Sequence, residues 1–79
     1  MIHVEYFAVL KDKSGIPGET LELLPGDTGR SVYDRLKSRY AFPLSSEDLR
    51  LAIHDEFSDM DVVLKPGDRV VYIPPVAGG

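Results

Sequence analysis

The sequence predicts an α+β fold, in which one main helix packs on one face of a mixed sheet. Apolar residues alternate at a period of two near both ends of the chain, a pattern typical of strands. One central stretch repeats its apolar residues at helical spacing instead. Glycine, proline and aspartate mark the connections between these segments. A single helix covering one face of a sheet satisfies the burial needs of both elements.

Residues 2–10 form the first predicted strand. One face of this strand carries Ile2, Val4, Tyr6, Ala8 and Leu10. Of these, Ile2, Val4, Tyr6 and Leu10 would lie under the helix, which leaves Phe7 on the open face. Residues 11–18 hold two glycines and a proline and are predicted to form a turn. A second strand over 19–24 would complete a hairpin with the first.

The predicted helix begins at Thr28, a favourable N-cap residue. Ser31 is a competing cap, and Gly29 weakens the earlier start. The apolar stripe of the helix consists of Val32, Tyr33, Leu36 and Tyr40. Pro43 disfavours helical backbone in the residue before it, so the helix should end near Tyr40.

Two further strands are predicted in the second half of the chain. The third strand covers residues 49–54 and follows a loop at 43–48. The last strand covers residues 69–73 and is apolar on both faces, which predicts a central position in the sheet.

The connection between these two strands is harder to assign. Residues 55–61 are acidic and are predicted to form an irregular loop, in which Phe57 and Met60 cover the edge of the core. Residues 62–64 are predicted to be a short strand or a turn of 3₁₀ helix. Lys65-Pro66-Gly67-Asp68 is a strong turn sequence.

This order of elements is that of the β-grasp, or ubiquitin-like, fold. In that arrangement the first and last strands pair in parallel at the centre of the sheet, which would explain why both are so apolar. The chain has 79 residues, too few for a second core. We therefore expect one β-grasp domain over residues 1–73 and a flexible tail over 74–79.

Composition argues against several classes of protein. The net charge is −4 and the nine Lys and Arg residues are scattered, which disfavours nucleic-acid binding. The chain has no cysteine, and therefore neither a disulfide nor a thiolate metal site. Its first residues lack the pattern of a signal peptide, and its apolar runs fall far short of the ~20 residues of a membrane span. We expect a cytoplasmic protein.

The side chains predict no active site of a familiar kind. The sequence has no phosphate-binding glycine-rich loop and no Ser/His/Asp set at a known spacing. His3 and His54 are too few to hold a metal unaided, and the acidic residues of 55–61 lack the glycine and distal glutamate of a calcium loop. We expect this chain itself to bind no metal or cofactor.

The end of the sequence is its most informative segment: Pro74, Pro75, Val76, Ala77, Gly78 and Gly79. The prolines stiffen the base of this tail, whereas two glycines without Cβ atoms can thread a narrow channel. At ~3.3 Å per residue, six extended residues reach about 20 Å. We expect Gly79 to carry a free and unhindered carboxylate.

A surface beside this tail is predicted to bind the partner. Phe7 is expected to be an exposed aromatic anchor, with Val71 and Ile73 beside it on the strand that delivers the tail. The alternative is that Phe7 packs on Val71 or Ile73 and has only a structural role.

A terminal carboxylate is a poor electrophile, because it is anionic and lacks a good leaving group. An activating enzyme could convert it to an acyl-adenylate with ATP. Displacement of AMP by sulfur would give a thiocarboxylate, which is a sulfur donor. Displacement by an amine would make the protein a covalent tag.

The sequence resembles the small subunit of molybdopterin synthase over nearly its whole length. The similarity lies in Val4 to Leu10, in Leu64 to Asp68 and, most specifically, in the double proline before Gly78-Gly79. The resemblance also has departures. His54 stands where asparagine is often found, Arg69 where an acidic residue is common, and Gly29 where an apolar residue is commoner.

The resemblance implies a sulfur carrier. An E1-like enzyme would adenylate Gly79 with ATP, and a sulfurtransferase system would make the thiocarboxylate. The tail would then enter the large subunit, which supplies the catalytic side chains, and sulfur would pass to cyclic pyranopterin monophosphate. Two carriers would flank a dimer of large subunits. Three alternatives stay open: a carrier for thiamine or cysteine synthesis, a ubiquitin-like protein modifier, and a plain binding module.

Overall fold

The computed structural model describes residues 1–75. They form a five-stranded mixed sheet with the strand order β2-β1-β5-β3-β4. The chain runs through β1 (Ile2–Tyr6), α1 (Val9–Ser14), β2 (Gly18–Leu21), α2 (Gly29–Tyr40), a 3₁₀ turn (Ser46–Asp48), β3 (Arg50–Ile53), β4 (Glu56–Ser58) and β5 (Arg69–Ile73). The predicted α+β, β-grasp fold is confirmed.

The centre of the sheet is the parallel pair of β1 and β5, as predicted. Val4 pairs with Val70 and Tyr6 with Tyr72. On its other side β5 pairs with β3 in antiparallel register. Val70 and Tyr72 have no exposed surface, and Val71 on the opposite face retains only 7%. Burial on both faces explains why this strand is apolar throughout.

Helix α2 begins and ends as predicted. Thr28 is the N-cap residue, and its hydroxyl accepts a hydrogen bond from the Ser31 amide at 3.1 Å. Ser31, predicted as a competing cap, instead completes a capping box by accepting from the Thr28 amide at 2.9 Å. The helix ends at Tyr40, where Ala41 turns into left-handed backbone. The buried side chains of its inner stripe are Val32, Tyr33 and Leu36.

The predicted first strand was too long. Strand β1 ends at Tyr6, and Ala8 reverses the chain with a φ of 51°. Helix α1 follows, so part of the predicted turn at 11–18 is helical. Leu10 still reaches the core, with no exposed surface, but it does so from a helix. Alternation alone could not separate these cases, because a short helix can present Leu10 to the same core.

The connection after β3 also differs from the prediction. His54 and Asp55 have φ values of 50° and 69° and form a two-residue hairpin loop, so part of the predicted irregular loop is the strand β4. Phe57 on this strand is 66% exposed and does not cover the core, whereas Met60 is buried as predicted. The hairpin was missed because its loop contains no glycine or asparagine, the residues that usually indicate this turn.

Smaller boundary differences remain. The predicted second strand, 19–24, is shorter in the structure, because the Leu24 amide turns to donate a hydrogen bond to the Asp27 carboxylate. The predicted loop at 43–48 contains the 3₁₀ turn. The short element predicted at 62–64 is a single bridge between Val63 and Thr28.

Tyrosines contribute much of a core that has no disulfide. Tyr6 and Tyr40 both donate hydrogen bonds to the same Glu19 carboxylate oxygen, each at 2.6 Å. Burial, together with Glu19, raises the pKa of Tyr6 well above its ordinary value. Tyr33 donates to the Leu44 carbonyl at 2.8 Å, and burial raises its pKa to about 12. Each of these hydroxyls is thus fixed as a neutral donor at physiological pH.

Gly29 has a packing role that explains one departure from the family pattern. A Cβ atom at this position would lie 2.5 Å from Leu51 Cδ2 and 3.1 Å from the Met60 carbonyl oxygen. The Gly29 carbonyl also accepts a buried hydrogen bond of 2.7 Å from the Tyr72 hydroxyl. Helix α2 can approach the sheet this closely because residue 29 lacks a side chain.

We therefore expect Gly29→Ala to lower the free energy of unfolding by about 1–2 kcal/mol. The methyl group overpacks the core against buried Leu51 at a cost of about 2–3 kcal/mol, and the higher helix propensity of alanine offsets about 1 kcal/mol of this cost. Urea denaturation would measure it. Ser38→Ala, at an exposed position of the same helix, is the matched control and should not destabilise the domain. A Gly29→Ala variant as stable as the unaltered chain would contradict this account.

Asp27 is a buried carboxylate that fixes the start of α2. It forms a two-pronged ion pair with Arg35 at 2.7 and 2.9 Å. It also accepts hydrogen bonds from the Leu24 amide and the Ser31 hydroxyl, each at 2.9 Å. The Arg35 guanidinium, followed by these two donors, lowers the pKa of Asp27 to about 2.

A lowered pKa in the folded state stabilises the fold above the unfolded-state pKa, and this contribution is lost as the pH falls through the folded value. For Asp27 the window runs from about pH 4 down to about pH 2, and the contribution is about 2 kcal/mol. We expect the destabilisation by Asp27→Asn to be larger at neutral pH than near pH 2. Asp61→Asn, which breaks an exposed ion pair with Arg30, is the control. A difference between Asp27→Asn and the unaltered chain that does not change with pH would contradict this assignment.

Candidate functional site

The tail leaves the domain from the centre of the sheet. Strand β5 ends at Ile73, and Pro74 and Pro75 follow it directly. Because β5 lies between β1 and β3, the tail starts from the most constrained part of the fold. The predicted tail residues Val76, Ala77, Gly78 and Gly79 lie outside the described residues, so the role assigned to the Gly79 carboxylate stays a prediction.

An apolar groove lies at the base of the tail. It has a volume of about 590 Å³ and is lined by Phe7, Ala8, Val9, Leu44, Ile73, Pro74 and Pro75. Phe7 is 50% exposed, although it shares the groove with Ile73. The positive φ of Ala8 ends the run of β1, so that Phe7 stands at the rim rather than inside the sheet.

The structure thus brings together two of the three predicted interface residues, Phe7 and Ile73, with the two prolines of the tail. Val71 is placed differently. It lies in register between Glu5 and Ala52 on the open face of the sheet and is only 7% exposed. Val71 can therefore support this surface but offers little area of its own to a partner.

Phe57 is an exposed aromatic that sequence reasoning did not place on this surface. It pairs with Ala52, which in turn pairs with Val71, so its side chain projects from the same open face. The Arg50 guanidinium lies 4.4 Å from the centre of its ring. Arg50 also pairs across the sheet with Ile73 and so lies between Phe57 and the base of the tail. We call these residues the docking surface: Phe7, Arg50, Phe57, Ile73 and Pro75.

Beyond the docking surface, Arg69 on the open face and His54 in the loop after β3 each contact acidic side chains of the same chain. Arg69 contacts both Asp55 and Glu5. His54, in its left-handed conformation, has its imidazole 3.2 Å from the Asp68 carboxylate. These pairs account for two further departures from the family pattern. His54 occupies left-handed backbone, which histidine and asparagine tolerate better than most residues, and Arg69 has acidic neighbours on its own chain.

The described residues contain neither a cluster of metal-ligating side chains nor a membrane-spanning helix. Within residues 1–75, no three His, Cys, Asp or Glu side chains are grouped so that they could hold a metal ion. In the same part of the chain, no helix has the length and apolar character needed to cross a bilayer. The described part of the site is an apolar groove at the base of the tail.

Comparison with known proteins identifies the family. A family model described as "ThiS family" matches residues 4–79. The chain belongs to this family. It is also 32% identical to the molybdopterin synthase sulfur carrier subunit of Arabidopsis thaliana, over 99% of this chain and 82% of that protein. The resemblance to the molybdopterin synthase small subunit, inferred from the tail and the first strand, is confirmed.

Solved structures share the fold of this chain. A molybdopterin converting factor subunit 1 from Pyrococcus furiosus aligns with a TM-score of 0.79 and 28% identity, over 95% of this chain and 97% of the other. The small archaeal modifier protein 1 of Haloferax volcanii has a TM-score of 0.77 with 16% identity, over 95% and 97% of the two chains. A chain of the complex of subunits 1 and 2 of the Helicobacter pylori molybdopterin-converting factor has a TM-score of 0.67 with 20% identity, over 99% of this chain and 97% of that one. At these identities the last two show similarity of fold alone.

Proposed function

We propose that this protein is the sulfur carrier subunit of a molybdopterin synthase. The observation that carries the proposal is where the segment leading to Gly78 and Gly79 begins. Pro74 directly follows the central strand, and the apolar side chains around it include the half-exposed Phe7. A carrier needs a domain that binds the partner protein and a slender tail that enters the partner's active site. Molybdopterin synthesis is the pathway chosen because similar proteins carry the name molybdopterin synthase sulfur carrier subunit.

In the proposed reaction, the Gly79 carboxylate attacks the α-phosphorus of ATP on an E1-like enzyme. Pyrophosphate leaves, and an acyl-adenylate forms. A sulfur nucleophile at the oxidation level of sulfide, delivered by a sulfurtransferase system, then attacks the carbonyl carbon, and the C–S bond forms as AMP leaves. The resulting thiocarboxylate is the donor for cyclic pyranopterin monophosphate. The ATP is used by the activating enzyme, and the carrier itself binds no cofactor.

The large synthase subunit is the proposed stable partner. The docking surface would bind it, and the six residues from Pro74 would reach about 20 Å into its active site. The catalytic side chains would lie on the large subunit, and two carriers would flank a dimer of it in the cytoplasm. The Helicobacter pylori complex of subunits 1 and 2 supports such a pairing.

A protein modifier is the second candidate, and the fold similarity to small archaeal modifier protein 1 favours it. The two functions share the adenylation step and differ in the nucleophile that displaces AMP. A modifier would form isopeptide bonds with lysines of many proteins. A dedicated carrier would have one stable, non-covalent partner.

The absence of cysteine from the chain allows a direct test. We expect incubation with the activating enzyme, ATP and a sulfur source to give a product that reacts with a thiol-alkylating reagent. Intact mass before and after alkylation, followed by peptide mapping, should place one adduct at Gly79. Alkylation is essential because oxidation of Met1 or Met60 adds nearly the same mass as an oxygen-to-sulfur exchange.

A chain lacking Gly79 is the control and should form no adduct, while its thermal unfolding stays unchanged. If the enzyme activates a known carrier but this chain yields no adduct, the carrier function is wrong. Adducts on lysines of other proteins would favour the modifier instead. Molybdopterin formation supported by the truncated chain would also contradict the proposal.

The docking surface gives a separate prediction. We expect Phe7→Asp to weaken binding to the large subunit at least about tenfold, because it places a charge in an apolar contact. The free energy of unfolding should change by no more than about 0.5 kcal/mol, since Phe7 is half exposed.

Leu24→Asp is the matched control for this prediction. Leu24 is exposed to a similar extent, at 46%. It follows the end of β2 that pairs with Ile2, so it lies near the start of β1, whereas Phe7 follows the end of that strand. Isothermal titration calorimetry with the large subunit would compare the two variants. Equal affinities for Phe7→Asp and the unaltered chain would leave Phe7 with a structural role only.

A further inference from the structure

Arg50 is the cation of the docking surface, and its guanidinium is available to a partner. The side chain is exposed and lies over the Phe57 ring at 4.4 Å. A guanidinium that stacks by its face leaves the N–H groups at its edge free to donate. Within residues 1–75, Arg50 forms no ion pair and no side-chain hydrogen bond.

The nearby carboxylates of this chain do not neutralise Arg50. Glu5 and Asp55 on the open face contact Arg69. Glu47 and Asp59 line the same shallow depression as Arg50, but neither lies within ion-pair distance of its guanidinium. Arg50 and Arg69 lie on the same face of the sheet but differ in their ion pairs. Arg69 already has acidic partners within the chain, and Arg50 does not.

The position of Arg50 makes this difference important for binding. It lies between Phe57 and Ile73, the residue that precedes the tail, so a partner that covers both apolar side chains also covers the guanidinium. Removing a charge from water without a counter-charge is strongly unfavourable. A carboxylate matches the fork geometry of arginine and would compensate for this loss.

We propose that Arg50 binds an aspartate or glutamate of the large subunit and makes the docking surface selective for a partner that presents an acidic group beside an apolar patch. This inference rests on the proposed function, because it takes the large subunit as the partner. The role of Phe57 is to position the Arg50 guanidinium through the cation–π contact with its ring.

The test is calorimetric titration of the large subunit of the same organism with four forms of this chain: unaltered, Arg50→Met, Arg50→Lys and Arg69→Met. We expect Arg50→Met to raise Kd about tenfold or more. The Kd of Arg50→Lys should lie between those of the unaltered chain and Arg50→Met, because lysine keeps the positive charge but cannot donate two parallel hydrogen bonds to a carboxylate. Arg69→Met makes the same change of net charge on the same face and should alter Kd by less than about threefold.

Two further measurements identify the contact. The affinity of the unaltered chain should fall with added salt more steeply than that of Arg50→Met. Arg50→Glu should bind poorly to the unaltered large subunit and regain affinity when one of its interface carboxylates is changed to lysine. Circular dichroism would verify that each variant is folded, as the exposure of Arg50 leads us to expect.

The outcomes separate this inference from the function on which it rests. If Arg50→Met binds as tightly as the unaltered chain, or if both methionine variants lose affinity equally, the specific role of Arg50 is wrong and the carrier function stands. If the unaltered chain does not bind the large subunit at all, both proposals are wrong.

Discussion

The parallel pairing of β1 with β5 is the constraint on which the rest of the structure depends. It sets Tyr6 beside Tyr72, so the next residues of the two strands, Phe7 and Ile73, emerge at the same edge of the sheet. Parallel strands need a long crossover, and the remaining elements provide it between residues 7 and 68. A single register therefore determines both the core and the place where the tail begins. Any slip of this register would move Phe7 away from the prolines.

A small domain without disulfides needs another way to hold that register. Here packed aromatic rings, whose buried hydroxyls are hydrogen-bonded, hold the register of the two strands. The rings of Tyr33 and Tyr72 lie 5.2 Å apart, and Phe42 stacks on Tyr33 at 5.7 Å. The Tyr72 hydroxyl reaches across to the carbonyl of Gly29 and so ties the central strand to the first turn of α2. Within the described residues, no buried side-chain nitrogen or oxygen lacks a hydrogen-bond partner. The base of the tail therefore rests on a well-ordered body.

The open face of the sheet separates two kinds of surface. Its charged part is self-contained, since Arg69 is held by Glu5 and Asp55. Its apolar part surrounds the tail and includes the Arg50 guanidinium on the Phe57 ring. In the proposed complex, this division would let a chain of net charge −4 bind its partner through a patch that is mostly apolar and locally basic. Repulsion from the acidic remainder would disfavour acidic partners unless they meet Arg50 directly.

The sequence alone determined the fold class, the main helix with its Thr28 cap and the central last strand, because periodicity, capping and turn chemistry are local properties. Its motifs also indicated the family. Tertiary structure decided what local patterns leave ambiguous. Leu10 packs into the core from a helix, although its spacing fits a strand equally well. The His54-Asp55 loop forms a hairpin without the glycine or asparagine that usually indicates one. The close approach of α2 to Leu51 gives Gly29 its role, and strand register places Arg50 between Ile73 and Phe57. These features depend on contacts between segments distant in sequence, which no local pattern encodes.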